Sequence, residues 1–504
     1  MEEQQELPQG WVLATFKDVG IYINGRAFKP TEWEETGRPI LRIQNLTKST
    51  GTINRYSGDI EEKYIVRPGE LLISWSATLG AFIYNEEEAV LNQHIFKVIP
   101  LIDKHFLFFG TENFIGDLKR QTQGSGMQHI TKGKFEDTPF PVPPLLEQRR
   151  IVAKLEELFS KLDEGVAAVR RTQALLKSYR QSVLHAAVTG ELTRAWREAH
   201  PAPAEPGTAL LERIRAERRA QWEATQVAKR GGQLPLGEGW KSKYVEPEAV
   251  DISKLPELPQ GWTWASMRQL GEVRLGRQRA PQHHSGPYMR PYLRVANVYE
   301  DRFDLRDVME MNFTPEEFET YALRENDILL NEGQSLELVG RPALYRNEVP
   351  GACFTNTLVR FRVYQNVLPA YALSVFRSYL HNGEFQKIAS WTTSIAHLGA
   401  DRFAGLHFPL PPLVEQVEIV AEVERRLTVL DALSKTLTHE LKRAERLRQS
   451  ILHRAFTGRL VPQDATDEPA AALLARLRET PAAPAKTKAG RGRKAVAQQT
   501  TLGL

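Results

Sequence analysis

One helix-forming stretch occurs twice in this chain, and no other feature constrains the fold as strongly. The first copy opens PVPPLLEQRRIVAKLEELFSKLD at Pro141, and the second opens PLPPLVEQVEIVAEVERRLTVLD at Pro409. The offset of 268 residues then holds without a gap. Arg180-Gln181-Ser182-Val183-Leu184-His185 returns as Arg448-Gln449-Ser450-Ile451-Leu452-His453, and Thr189-Gly190 returns as Thr457-Gly458. A repeat this long means that one structural unit is built twice, and it has to be settled before any other pattern is read.

Each copy reads as one long helix. Tandem prolines stop any earlier helix, because proline fixes φ and turns the preceding residue away from helix. Glu147 and Glu415 fall in the opening turns, where negative charge suits the helix dipole. Gly190 and Gly458 sit where a C′ glycine closes a helix. Between these signals the apolar spacing alternates four and three. In the first copy the seam is Ile151, Leu155, Leu158, Leu162, Gly165, Val169, Thr172, Leu176, Tyr179 and Val183. In the second it is Ile419, Val423, Arg426, Leu430, Leu433, Leu437, Glu440, Ala444, Leu447 and Ile451. A heptad-like stripe over more than four heptads argues for a coiled-coil seam. Forty-odd residues at about 1.5 Å each give a rod of roughly 60–65 Å.

The repeat extends beyond the helices. Leu7-Pro8-Gln9-Gly10-Trp11 opens one unit and Leu258-Pro259-Gln260-Gly261-Trp262 opens another, at an offset of 251. Arg38 to Leu46 echoes Arg290 to Val298, and His129 and Phe135 echo His397 and Phe403. Short β-like runs dominate the units (Ile65-Val66, Leu71 to Ser74, Ile95 to Ile99, Val359 to Val363), with helical pieces such as Ala370 to Leu380. The expected class is therefore mixed α/β. The expected divisions are 1–144, a helix at 145–190, a connector at 191–257, a second unit at 258–412, a helix at 413–458 and a tail at 459–504. Ala209 to Arg215 and Ala472 to Arg478 read as matching short amphipathic helices. Pro481 to Leu504, with its basic run Lys486 to Lys494, reads as a disordered tail.

Composition excludes several classes. The 504 residues carry a formal charge of +4 and a single cysteine, Cys353, so no internal disulfide framework or thiolate metal site exists. The acidic, polar N-terminus is no signal peptide, and no uncharged apolar run is long enough to span a bilayer. A cytoplasmic protein with no membrane partner is expected. There is no P-loop, dinucleotide fingerprint, H-E-x-x-H or compact acidic cluster, and His283-His284 are adjacent and cannot share one face as metal ligands. Neither catalytic nor metal residues are expected.

Each unit instead carries a cationic window free of acids. Arg274 to Arg294 holds five arginines, and Leu118 to Phe135 holds Lys119, Arg120, Lys132 and Lys134 with glutamines and glycines between them. Lys and Arg neutralise phosphates, while Arg, Gln and Asn can contact base edges in two-point fashion. From side-chain chemistry the candidate double-stranded DNA contacts are Arg42, Gln44, Asn45, Lys119, Arg120, Gln128, Lys132 and Lys134 in the first unit. In the second they are Arg277, Gln278, Arg279, Arg290, Arg294, Asn297 and Arg402. The alignment of Asn45 with Asn297 also fits a structural turn. Two unlike units on rods of equal length imply a bipartite, asymmetric site with an unread spacer, on the order of 12–15 base pairs for the whole span.

The L-P-x-G-W opening, the P-x-P-P-[LV]-x-E-Q helix start and the T-G end, each present twice and in order, resemble those of type I restriction–modification specificity subunits. The resemblance covers nearly the whole chain. It implies two α/β target recognition domains separated by two long antiparallel coiled-coil helices, each domain reading half of a split DNA sequence. It implies docking to two modification (methyltransferase) subunits and to restriction (translocase/nuclease) subunits. S-adenosylmethionine, ATP and Mg would then be bound by those partners, with no cofactor in this chain and no chemistry of its own. The readings that compete are a coiled-coil adaptor that never reads DNA, a self-sufficient enzyme with an unrecognised site, and the same fold in a methylation-only defence system.

Overall fold

The computed structural model describes residues 7–48, 53–76, 78–121, 131–201, 203, 205–231, 233, 237–392 and 394–479. The basic tail beyond 480 lies outside the described residues. The repeated stretches form helices at Leu145–Thr189 and Leu413–Phe456. The chain divides into two compact units. One comprises Met1–Val169 with His439–Leu504, and the other comprises Arg170–Thr438. Each unit therefore holds one globular domain and a segment of both long helices.

The same clasp is built in each unit from the three repeated motifs. In the first, the Trp11 indole Nε1–H donates to Glu147 Oε2 at 3.1 Å, and Glu147 is buried. In the second, Trp262 Nε1–H donates to Glu415 Oε2 at 2.8 Å. The neighbouring glutamines secure the proline turns. Gln148 Nε2 donates to the Pro143 carbonyl and Gln416 Nε2 to that of Pro411, while Oε1 of each glutamine accepts a loop N–H, from Asp103 and Leu368 respectively. The glycines that end the long helices lie against the opening prolines. Gly458 has φ +67° and a Cβ there would fall 2.3 Å from Pro8, while Gly190 has φ +77° and its Cβ would fall 2.4 Å from Pro259. Only glycine meets both the left-handed backbone and this close approach.

Within each unit the two helix segments run antiparallel. Ile151, Leu155, Phe159 and Leu162 pack with Ile451, Leu452, Ala455 and Phe456 in the first. Leu176 and Val183 share a core with Ile419, Val423, Leu427 and Leu430 in the second. One ion pair recurs: Arg448–Asp163 at 3.1 Å in the first unit and Arg180–Asp431 in the second. Val169 and Leu437 are half-buried.

The seam differs from the expected stripe at alternate positions. Phe159 and Leu427 are buried where Leu158 and Arg426 were expected to lead. Tyr179, Leu433 and Leu447 are 48, 45 and 49 % exposed, so Leu433 and Leu447 are corrected to surface positions. Where two adjacent residues can each continue a four–three alternation, sequence spacing fixes only every second contact. At Phe159 and Leu427 the packing steps one residue later, and next to Leu447 the half-buried Arg448 lies over the Phe159 ring at 4.0 Å while its head pairs with Asp163.

Each domain carries a four-stranded antiparallel sheet with matching register. In the first, Gly20–Asn24, Ile95–Pro100, Leu71–Ser74 and Gly80–Ile83 lie side by side. In the second the order is Gly271–Leu275, Leu358–Val363, Ile328–Asn331 and Pro342–Leu344. Gly20 pairs with Pro100 as Gly271 pairs with Val363. A second small sheet in each domain contains one parallel pair, Arg38–Leu41 with Ala89–Leu91 and Met289–Leu293 with Cys353–Phe354. The connector is more than a linker. Its helix runs Gly207–Ala228, well beyond the expected seven residues, and Leu210, Leu211 and Ile214 bury into the second unit's core. Ala470–Glu479 does the same in the first unit through Ala470 and Leu474.

The two clasps differ electrically, and this gives a test. Glu415 also accepts from Thr193 at 2.8 Å and pairs with Arg197 at 2.5 Å. Glu147 has the indole alone on Oε2, with Oε1 lacking a hydrogen bond among the described residues. Burial pushes the Glu147 carboxyl up from its ordinary value, against the pull of the Trp11 hydrogen bond and of Arg150. A raised carboxyl favours the folded state at low pH and loses that contribution as pH rises through its value. Glu147→Gln is therefore expected to leave the unfolding temperature of the full chain unchanged or raised at pH 7, with any gain vanishing below about pH 4.5. Glu415→Gln strands Arg197 and is expected to cost on the order of 2–3 kcal/mol. Thermal unfolding of both variants across pH checks the pair.

Candidate nucleic-acid interface

The candidate surface grows from a close backbone crossing at the end of the first sheet strand. In the second unit a Cβ on Gly276 would lie 2.2 Å from the Thr355 carbonyl, so only glycine lets the strand pass. Arg277 then bridges to Thr355 and donates its N–H to the Phe354 carbonyl. In the first unit a Cβ on Gly25 would lie 2.1 Å from the Asn92 carbonyl oxygen, and Arg26 bridges to Asn92. The two arginines are equivalent and both are inward-held. Arg277 is buried, pairs with Glu317 at 2.7 Å, donates to the Asn312 carbonyl and lies over the Phe313 ring. Arg26 pairs with Glu32 and lies over Phe28 and Tyr56. Arg277 is thus corrected from a reader to a scaffold cation, and sequence reasoning missed Arg26 in the same role.

Acids from outside the cationic window neutralise much of it. Arg274 pairs with Glu272, whose carboxyl burial pushes up but Arg360 and Arg274 draw net below its usual range. Arg294 pairs with Asp307 and its backbone N–H donates to Asn297 Oδ1 at 3.0 Å. Asn297 is buried, with Nδ2 donating to the Asp304 and Asp307 carbonyls, which corrects it to a turn-maker. Asn45 repeats the same turn by accepting from the Arg42 N–H at 3.0 Å. Gln278 and Arg279 are exposed, and Arg290 is exposed beside the Phe318 ring, 4.6 Å from Cζ to centroid. Burial pushes the Cys353 thiol up to about 12, consistent with a packing role.

In the first unit Arg42 lies over the Trp33 ring at 4.3 Å and Gln44 is exposed. Lys132 Nζ donates to the Tyr22 carbonyl at 2.7 Å and reaches Glu136 at 3.4 Å, so its charge is partly committed within the domain. Lys134 is exposed. Lys119 and Arg120 lie in the last turns of the helix Lys104–Gln121, with side chains outside the described residues, as is all of Gln128.

Hydrogen bonds join five segments of the second unit into one surface. Asn356 N–H donates to the Arg277 carbonyl at 2.9 Å, and Val295 N–H to Thr357 Oγ1 at 3.1 Å. Glu332 N–H donates to the Thr357 carbonyl at 2.9 Å, and Leu398 N–H to the Glu332 carbonyl at 2.7 Å. The last of these segments supports a hairpin, Ser390–Thr392 with Ile395–His397, that sequence reasoning did not single out. Arg402 sits at its base, donating to Ser390 Oγ at 2.8 Å and the His397 carbonyl at 2.9 Å, and so acts as a brace rather than an open cation. The hairpin's signal was an aromatic and a β-branched apolar residue on either side of the polar Thr-Thr-Ser in SWTTSIAH, which a search for cations passes over. Among the described residues no three His, Cys, Asp or Glu side chains cluster as metal ligands, and no helix is long and apolar enough to cross a membrane.

Comparison with known proteins gives one consistent answer. The family model for the type I restriction modification DNA specificity domain matches residues 8–168 and 259–443. The EcoBI specificity subunit of Escherichia coli is 26% identical, over 95% of this chain and 94% of its own. The EcoKI specificity subunit of Escherichia coli (strain K12) is 24% identical, over 96% of this chain and 98% of its own. A chain from a solved structure of type I restriction–modification complex assembly aligns with a TM-score of 0.58 at 19% identity, over 90% of this chain and all of its own, and so shares the fold. With two matched segments that contain both tryptophan–glutamate pairs and more than half of each long helix, this chain belongs to the type I restriction–modification DNA specificity family.

Proposed function

We propose that this DNA-specificity subunit reads a split, asymmetric duplex site, one half-site per domain, and contributes no chemistry of its own. The observation that carries the reading is the contrast between what the two domains share and what they do not. Clasp, sheet register, glutamate-paired arginine and glycine crossing recur residue for residue. The positions beside them differ: exposed Gln278 and Arg279 stand one and two residues past Arg277, where an exposed Ala27 and a buried Phe28 follow Arg26. Equal scaffolds with unequal surfaces suit two different half-sites.

The long helices would dock the modification subunits. Leu146 and Val414 are equivalent and 54 and 57 % exposed at the starts of the two helices, as a partner bound twice would require. Those subunits would bind S-adenosylmethionine and methylate adenine, which must leave the base stack to be reached. Restriction subunits would supply ATP- and Mg-dependent translocation and cleavage.

Two measurements test this. Adenine-methylation mapping of cells with and without this chain is expected to show one split, asymmetric motif that disappears on deletion, and an unchanged methylome refutes the reading. Binding of the full chain, with its copurifying subunits, to that motif is expected to weaken on Arg279→Ala or Arg290→Ala. Removing a phosphate-binding side chain lowers the salt slope by about 1 across all sequences, whereas removing a base-reading one relaxes a single position. Arg277→Ala is expected instead to destabilise the fold by about 3 kcal/mol, since it strands the half-buried Glu317 and removes a buried cation.

A further inference from the structure

The hairpin Ser390–Thr392/Ile395–His397 presents apolar side chains that the rest of the fold does not use. Trp391 is 60 % exposed and Ile395 45 % exposed. Trp391 is directly opposite Ala396, and Ile395 directly opposite Thr392, so the two side chains lie on opposite faces of the ribbon. The base of the hairpin is held firmly. His397 Nδ1–H donates to Glu332 Oε2 at 3.0 Å, its Nε2 accepts from the Thr392 hydroxyl at 3.2 Å, and Arg402 ties Ser390 to His397. Gly399, at φ +72°, leaves room for the Arg402 guanidinium, which a Cβ would meet at 2.5 Å. The braced hairpin thus holds an exposed tryptophan and an exposed isoleucine in fixed places on its two faces.

We infer that this hairpin enters the major groove of the second domain's half-site and that Trp391 reads thymine there through its C5-methyl group. The inference rests on the DNA-reading function proposed above. Three observations select DNA over a protein subunit as the occupant. The ribbon is continuous, through Glu332, Thr357 and Asn356, with the loop that exposes Gln278 and Arg279. On its other side Ile395–His397 pairs with the two residues Gly333–Gln334, opposite His397 and Ala396, so the Thr392–Ile395 end of the hairpin is two strands wide; an end of that width fits a groove about 12 Å wide, and thymine's methyl is the one apolar group displayed on its floor. The residues also differ between the halves. At the offset of 268 that preserves His129/His397, Trp391 corresponds to Gln123 and Ile395 to Met127. A protein docked on both halves would need like residues at both places, whereas unlike half-sites need unlike ones.

The test uses the full-length chain with its copurifying subunits and duplexes carrying the mapped motif, each thymine replaced in turn by deoxyuridine, which removes only the methyl. The wild type is expected to lose about fourfold in affinity at one or two thymines of a single half-site, the worth of one buried methyl group. Trp391→Ala is expected to bind the thymine duplex more weakly by at least that factor and to bind thymine and deoxyuridine duplexes alike. Trp391→Phe, which keeps an apolar ring, is expected to retain part of the discrimination. A Trp391→Ala complex with undiminished thymine preference overturns the inference. So does a wild type indifferent to every methyl, or a variant that loses its protein partners while keeping its discrimination. A wild type that binds no split motif above scrambled duplex overturns the function reading as well, and is distinguished from those outcomes by that control.

Discussion

The hydrogen bond from a domain's first tryptophan to the buried glutamate that opens its long helix is the contact on which each half depends. Trp11–Glu147 and Trp262–Glu415 tie the first strand of a domain to the helix that leaves it. Around that bond the chain must turn sharply, so prolines and positive-φ glycines surround it. Gly10 and Gly261 have φ +84° and +86°, and their carbonyls accept the N–H groups of Ala470 and Gly207, at the starts of the two packing helices. Three motifs remote in sequence are thus one object in space. A buried carboxylate is costly unless its charge is satisfied. The second half satisfies it with Arg197 and Thr193, and the first tolerates a carboxyl held above its ordinary range. The same geometry therefore persists on two different electrostatic footings.

The scaffold was legible because it is written twice and in residues with few alternatives. Proline, glycine at positive φ and a tryptophan beside a buried acid leave a sequence trace that survives divergence. The strands at Ile65–Val66, Leu71–Ser74 and Ile95–Pro100 also stood out, since short apolar runs bounded by turns have no other home in such a domain. The seam was legible only in part. Leu155, Leu162, Leu176, Val183, Ile419, Val423 and Leu430 take the expected places. Leu447 does not, because the adjacent Arg448 continues the stripe there, and Leu433 does not, because it lies in a stretch, 431–436, in which every residue is exposed.

The interface was far less legible, and Arg277, Arg294 and Glu317 show why. A window without acids looks like a free cationic surface only while the chain is treated as a line. Folding brings Glu272, Glu317 and Asp307 from outside the window onto Arg274, Arg277 and Arg294. Local charge counting has no access to such pairing, which depends on strand register and on where turns return the chain. The hairpin was missed for the opposite reason: its distinguishing group is an apolar ring, and an exposed tryptophan is recognised only when burial is known.

These two classes of residue explain how one scaffold can serve different sites. Gly25 and Gly276 cannot accept a side chain, since a Cβ would meet a carbonyl at 2.1 or 2.2 Å. Arg26 and Arg277 cannot change without stranding a carboxylate. By contrast Gln278, Arg279, Trp391 and Ile395 are exposed, and substitutions at such positions typically alter stability by no more than about 0.5 kcal/mol. The crossing glycine and inward arginine fix the backbone from which these exposed side chains project, while the exposed side chains carry almost none of the folding energy. A recognition surface arranged in this way can exchange its base contacts while the clasp, the sheets and the helix pairing stay unchanged.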